Sequence, residues 1–274
     1  MFGLRWNGYT ATLEAPAAEP APPRAAPTLV AEDIHLVYRD GNVPTTALEG
    51  VHLRVEQGEF LCILGPSGCG KTSLLRVLSG LVRPTRGRVL LDNVPLVRPS
   101  RRVGLVFQGA NLMPWRTVLR NVTLPLEVAQ VSQAEAEAKA RALLELVGLS
   151  GFEEAHPAQL SGGMRHRVAI ARALVHDPVI LLMDEPFGAL DALTRERLGL
   201  EFLRIWSARQ QTIIMVTHNI QEAIFLADRI LVLSARPGRV VLETDVPLPR
   251  PRTLDVLYTH EFADLSRTIR QAIG

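Results

Sequence analysis

The chain has 274 residues, room for one large domain or two modest ones and enough to bury a real core. Hydrophobic residues make up 47% and charged residues 21%, which excludes wholesale disorder, and no apolar run is long enough to span a bilayer. Thirty basic against 28 acidic side chains leave a charge of +2, too balanced to argue for a nucleic-acid or lipid surface. In chain order, residues 1–27 come first. Their Ala/Pro-rich part, ATLEAPAAEPAPPRAAP, removes backbone donors and offers nothing to a core, which predicts a flexible extension. Trp6 and Tyr9 within it read either as a docking tag or as incidental. The start lacks the basic, apolar and small-residue succession of a secretory leader, so a cytoplasmic chain is expected. Cys62 and Cys69 are the two cysteines, too few for a disulfide framework and in keeping with reduced thiols.

From about residue 28 short apolar runs alternate with helical periodicity, the pattern of an α/β protein. Four runs end in a polar residue or glycine: Phe60–Leu64 before Gly65, Val103–Phe107 before Gln108, Val179–Met183 before Asp184, and Ile213–Thr217 before His218. Such continuous runs suit strands buried on both faces of a parallel sheet, where ligands sit beyond the carboxyl ends. If the four run parallel, their polar terminators converge on one place. Between Gln108 and Val179 the texture turns helical. Ser132 with Glu135 predicts the start of a helix over Ala134–Val147, closed by Gly148, and a second helix is expected from Ser161 to Val175. A helical subdomain over about 109–177 therefore lies inside an α/β domain of residues 28–246. Beyond it, Pro247, Pro249 and Pro251 predict an extended connector. A helix carrying Phe262, Leu265 and Ile269 follows in 247–274, either docked on the main body or regulatory.

Gly65-Pro66-Ser67-Gly68-Cys69-Gly70-Lys71-Thr72, followed by Ser73, matches the phosphate-binding loop pattern and stands between an apolar strand and a helical stretch with Leu74, Leu75 and Leu78. Its glycines let backbone amides approach phosphates, and the helix start adds positive potential. Lys71 is one of only two lysines in the chain; it would reach the β- and γ-phosphates while the Thr72 hydroxyl binds Mg²⁺. Asp184 and Glu185 end the third run as adjacent carboxylates that point to opposite sides of a strand. Asp184 would then hold the metal and Glu185 polarise an attacking water.

With Leu160-Ser161-Gly162-Gly163-Met164 standing 23 residues before Asp184, the chain resembles ATP-binding cassette ATPases, the motor subunits of membrane transporters. The resemblance covers about residues 28–246 and implies the fold class: a P-loop NTPase core with a mainly parallel sheet, an N-terminal antiparallel β portion and an inserted helical subdomain. It implies ATP and Mg²⁺ as cofactors and a site shared by two facing copies. In each site Ser161, Gly162 and Gly163 of one copy would complete the phosphate site of the other. Gln108 matches the loop glutamine that senses Mg²⁺ and the γ-phosphate, Asp191 the interface aspartate, and His218 the switch histidine. Tyr38 matches the aromatic that stacks on adenine, or else belongs to a strand core.

The stretches 109–118, 187–195 and 235–239 resemble importers of the nitrate, sulfonate and taurine group. The resemblance therefore implies a homodimer at the cytoplasmic face of the inner membrane, an integral membrane permease, an extracytoplasmic solute-binding protein and no nucleic-acid partner. Leu112, Met113 and Trp115 read as lining a groove for the permease, or as packing of the helical insertion. Two departures, His166 for the usual Gln and Asn219 for the usual Asp, remove no phosphate or metal contact. The rival readings are a soluble cassette ATPase acting on nucleic acid or ribosomes, and an exporter with the same chemistry.

Overall fold

The computed structural model describes residues 27–39, 44–188 and 191–274. Residues 1–26 with Trp6 and Tyr9, and also Ala189 and Leu190, lie outside the described residues. The chain opens with β1 (Pro27–Tyr38) and β2 (Thr45–Glu56), then β3 (Phe60–Leu64) and α1 (Lys71–Leu78). Next come β4 (Arg86–Leu91), β5 (Val94–Pro95) and β6 (Val103–Val106). Three helices follow, α2 (Val118–Val128), α3 (Gln133–Leu146) and α4 (Gly162–Leu174). The rest alternates: β7 (Ile180–Asp184), α5 (Ala192–Arg209), β8 (Thr212–Thr217), α6 (Ile220–Leu226), β9 (Arg229–Leu233), β10 (Val240–Asp245) and α7 (His260–Ile273).

Two sheets result. An antiparallel sheet runs β2-β1-β4-β5, and a six-stranded sheet runs β10-β9-β3-β8-β7-β6, parallel throughout except for β10 on β9. The four polar-ended runs are therefore parallel neighbours, as their composition predicts. Alternate residues of each central strand enter different cores. Phe60, Cys62 and Leu64 join Leu181, Met183, Ile213 and Met215 beneath the helical face. Leu61 and Ile63 join Ile180, Leu182, Ile214 and Val216 against α1 and the antiparallel sheet. Burial on both faces is why these strands read as unbroken apolar runs.

Strand and helix boundaries depart from the sequence reading by a residue or two. Pro27 belongs to β1 rather than to the extension, pairing opposite Glu56, since the first residue of a strand tolerates the missing donor. Ser132 caps α3 by accepting from the Glu135 amide at 3.3 Å, and Ser161 caps α4 through Met164 at 3.2 Å. Helix α2, with Pro125 in its second half, is an element the sequence reading does not separate from the surrounding helical texture. Among the described residues no helix is long and apolar enough to cross a membrane.

The C-terminal residues pack on this body. Phe262 and Ile269 of α7 are buried in the same core as β9, with Leu265 packed against it, and α7 lies on α6, β9 and β10. Before it, Arg250 stacks over the Trp206 ring at 4.1 Å and pairs with Asp228 at 2.7 Å.

Candidate nucleotide site

The phosphate loop leaves β3 at Gly65, where a Cβ would lie 2.7 Å from the Cys69 sulfur. Gly70 caps α1 at a φ of +111°, and a Cβ there would lie 2.8 Å from the Ala47 carbonyl oxygen, so only glycine fits. A second loop, 234–239, braces the first. The Gly238 amide donates to the Ala47 carbonyl at 2.9 Å, and a Cβ on Gly238 would lie 2.4 Å from the Cys69 oxygen. From the same loop, Arg236 donates to the Gly68 carbonyl at 3.2 Å.

Over this loop opens a cleft of about 380 Å³. Its lining brings together Tyr38, Ser67, Gly68, Gly70, Lys71, Thr72, Ser73, Gln108 and Glu185. Lys71 is buried and its ammonium donates to the Gly65 and Pro66 carbonyls at 2.8 and 3.1 Å, which holds the cation inside the loop. Thr72 donates to an Asp184 carboxylate oxygen at 3.1 Å, joining the loop to the end of β7. Tyr38 is half-buried at the end of β1; its hydroxyl donates to Ser73 at 3.1 Å, and it both packs on the core and lines the cleft.

The two adjacent carboxylates diverge. Asp184 turns to Thr72, whereas Glu185, at a φ of +42°, lies 3.0 Å from Nδ1 of His218. Left-handed backbone at a non-glycine residue is strained, and here it aims the side chain at the neighbouring strand end. Burial pushes the Asp184 carboxyl up and outweighs the Thr72 hydrogen bond and the Lys71 and Arg76 charges that favour ionisation; Glu185 adds to the rise. Hydroxyl and carboxylate oxygens this close, with the Gln108 amide in the same cleft, fit a hard divalent cation that keeps several waters.

His218 sits on a turn fixed from below. Asn219 accepts from the Glu222 amide at 3.1 Å and so caps α6, while its own amide donates to the Thr217 hydroxyl at 3.1 Å. The Glu222 carboxyl bonds Thr217 instead of closing a capping box. Burial pushes that carboxyl up, against the Thr217 bond and the charges of Arg195 and His218.

Ser161, Gly162, Gly163 and Asp191 are absent from the lining of the cleft. Ser161 and Asp191 are exposed at helix starts, Asp191 accepting from the Thr194 amide at 3.0 Å; hydrogen bonding from the Thr194 side chain first, and from that amide second, holds its carboxyl low. Trp115 is 72% exposed, whereas Leu112 packs on the core. The sequence reading missed Arg236, whose signal was a likeness of 235–239 to one importer group. It also missed His166 as a contact, although its ring lies 3.2 Å from the Gln108 carbonyl oxygen.

A family model described as ABC transporter matches residues 48–188. The chain belongs to this family. A taurine import ATP-binding protein of Burkholderia pseudomallei is 47% identical over 213 residues, covering 78% of this chain and 82% of that protein. An aliphatic sulfonates import ATP-binding protein of Bacillus cereus is 44% identical over 208 residues, covering 75% and 82%. Among solved structures, an ATP-binding cassette dimer in a post-hydrolysis state with ADP and Pi superposes with a TM-score of 0.70 at 35% identity, covering 81% of this chain and all of that one. The ABC protein described here is thus an ATPase, with the P-loop cassette fold that its sequence predicts.

Proposed function

We infer that this ATPase is the motor subunit of an importer. Two copies would energise uptake of a small sulfonate-, taurine- or nitrate-like solute through a separate membrane permease, supplied by an extracytoplasmic binding protein. Its place is the cytoplasmic face of the inner membrane, held there by the permease. The reading is supported by the import relatives and by one observation above all. Lys71, Thr72, Gln108 and Glu185 line one cleft at the carboxyl ends of the parallel strands, with Asp184 bonded to Thr72 and His218 to Glu185, while Ser161 makes no part of that lining. A second copy is what would bring a Ser161-capped helix to the phosphates.

In this reading Tyr38 stacks on adenine, and the amides of residues 65–72 with Lys71 bind the phosphate chain. Thr72, Asp184 and Gln108 would hold Mg²⁺, which when bound neutralises charge on the phosphates. Glu185 orients and deprotonates the attacking water, and His218, hydrogen-bonded to it, contacts the γ-phosphate. The partner's Ser161 hydroxyl and the Gly162 and Gly163 amides close the anion site, with Asp191 at the interface. Loss of the γ-phosphate removes what joins the copies, and they part. The test is ATP-driven uptake of labelled taurine and alkanesulfonates in vesicles holding this protein with its membrane permease and the solute-binding protein. Uptake abolished by K71A is expected. ATP hydrolysis with no uptake of any such solute would overturn the cargo.

A further inference from the structure

Helix α6 has seven residues, too few to stay helical unaided, so its ends must be held by the rest of the fold. At its N-terminal end the Thr217, Asn219 and Glu222 bonds fix the turn that carries His218. At its C-terminal end the holder is the segment 247–252. The Arg252 guanidinium, 5% exposed, donates to the carbonyls of Ile224, Phe225 and Ala227 at 3.0, 3.1 and 2.7 Å. It also donates to those of Val246, just ahead of the segment, and Leu248 within it. Arg250 adds the Leu226 carbonyl at 2.6 Å and is itself braced by Asp228 and the face of Trp206. Four successive carbonyls at the end of one short helix, 224–227, are therefore taken by two arginines, a favourable place for cations at the negative pole of the helix.

A buried guanidinium bonded only to carbonyls is costly to bring out of water, and ordinary packing would be served by an apolar side chain. What six directed bonds to five carbonyls add is position. Continuous backbone bonds run from Ala223 to the Asn219 carbonyl and from Ala227 to Ala223. The helix is about 10 Å long, so a shift or tilt at the Arg252 end reappears at the turn that presents His218 to Glu185.

We propose that Arg252 is a positioning residue for ATP hydrolysis: the strap 247–252 pins α6 from behind and thereby sets the His218 ring against Glu185. The proposal rests on reading His218 as part of the hydrolytic site. It gives the proline-flanked arginines a role in turnover besides docking.

The test is steady-state ATP hydrolysis by the full-length protein, with R252M, R252K, H218A and the double variant R252M/H218A. R252M is expected to lower kcat about tenfold while KM for ATP stays within about twofold, since placement and not binding is lost. R252K, which keeps a charge and donors, recovers part of the rate. In the H218A background R252M adds no further loss, because both act through one ring. Folded R252M with wild-type kcat, or a loss fully additive with H218A, overturns the strap. H218A hydrolysing ATP at the wild-type rate would instead overturn the reading of the site. If R252M fails to fold, R250A serves: it removes the Leu226 bond and the Trp206 stack. A smaller kcat loss, again absent in H218A, is expected, and additivity overturns the proposal.

Discussion

At the scale of residues, the site separates two carboxylates that are neighbours in sequence. Asp184 is tied to Thr72 and Glu185 to His218, so in the proposed reading the metal-holding and water-activating roles fall to carboxylates with different partners. E185Q keeps the volume and the cleft but removes the base; it is expected to bind ATP as the wild type does and to lose about a hundredfold or more in kcat. Turnover at the wild-type rate would remove Glu185 from that role. K71A should act earlier and weaken nucleotide binding itself, read by calorimetry.

Glu222 gives a prediction of a different kind. Its folded-state titration lies above the ordinary glutamate value, so the stability it contributes is fully present below that value. This is lost as pH rises through the raised one. E222Q removes the titration, and its Tm should gain on that of the wild type as pH rises above the ordinary glutamate range. A gap that stays constant with pH would contradict the assignment.

At the scale of elements, the least expected part is the start of the helical insertion. Asn121 of α2 is fully buried, accepts from the Met113 amide at 2.7 Å and donates to the carbonyls of Met113, Arg116 and Thr117. One amide thus folds the turn that leaves Trp115 in water. N121A strands those groups and should cost about 2 kcal/mol or more in urea unfolding. Ending the chain at Val246 uncovers the bed of Phe262 and Ile269 and should lower Tm by about 10 °C.

What the sequence disclosed follows the same physics. The four parallel strands were legible because both faces are buried, and the phosphate loop because glycine spacing is dictated by close backbone approach. Caps at Ser132, Ser161 and Asn219 were legible as local hydrogen bonds. Helix α2 was not separable, because Asn121 and Pro125 break its pattern, and the polar side chain is explained only by a loop it meets in space. Arg236, His166 and Arg252 were hidden for the like reason. Each bonds a backbone carbonyl that its own sequence neighbourhood does not identify.

At the scale of the whole molecule, the proposed function divides the site between the phosphate cleft of one copy and the Ser161 helix start of another. The phosphate cleft opens over β3, and Ser161 caps α4 outside its lining. In that function two chains clasp ATP between these halves, hydrolyse it and part. The direct measurement is thiol cross-linking of mixed protomers in the E185Q background, one carrying S67C and the other S161C; the native Cys62 and Cys69 are both buried. A covalent dimer is expected to form with ATP and Mg²⁺ and to fail to form without nucleotide. A yield that ATP does not raise would contradict it.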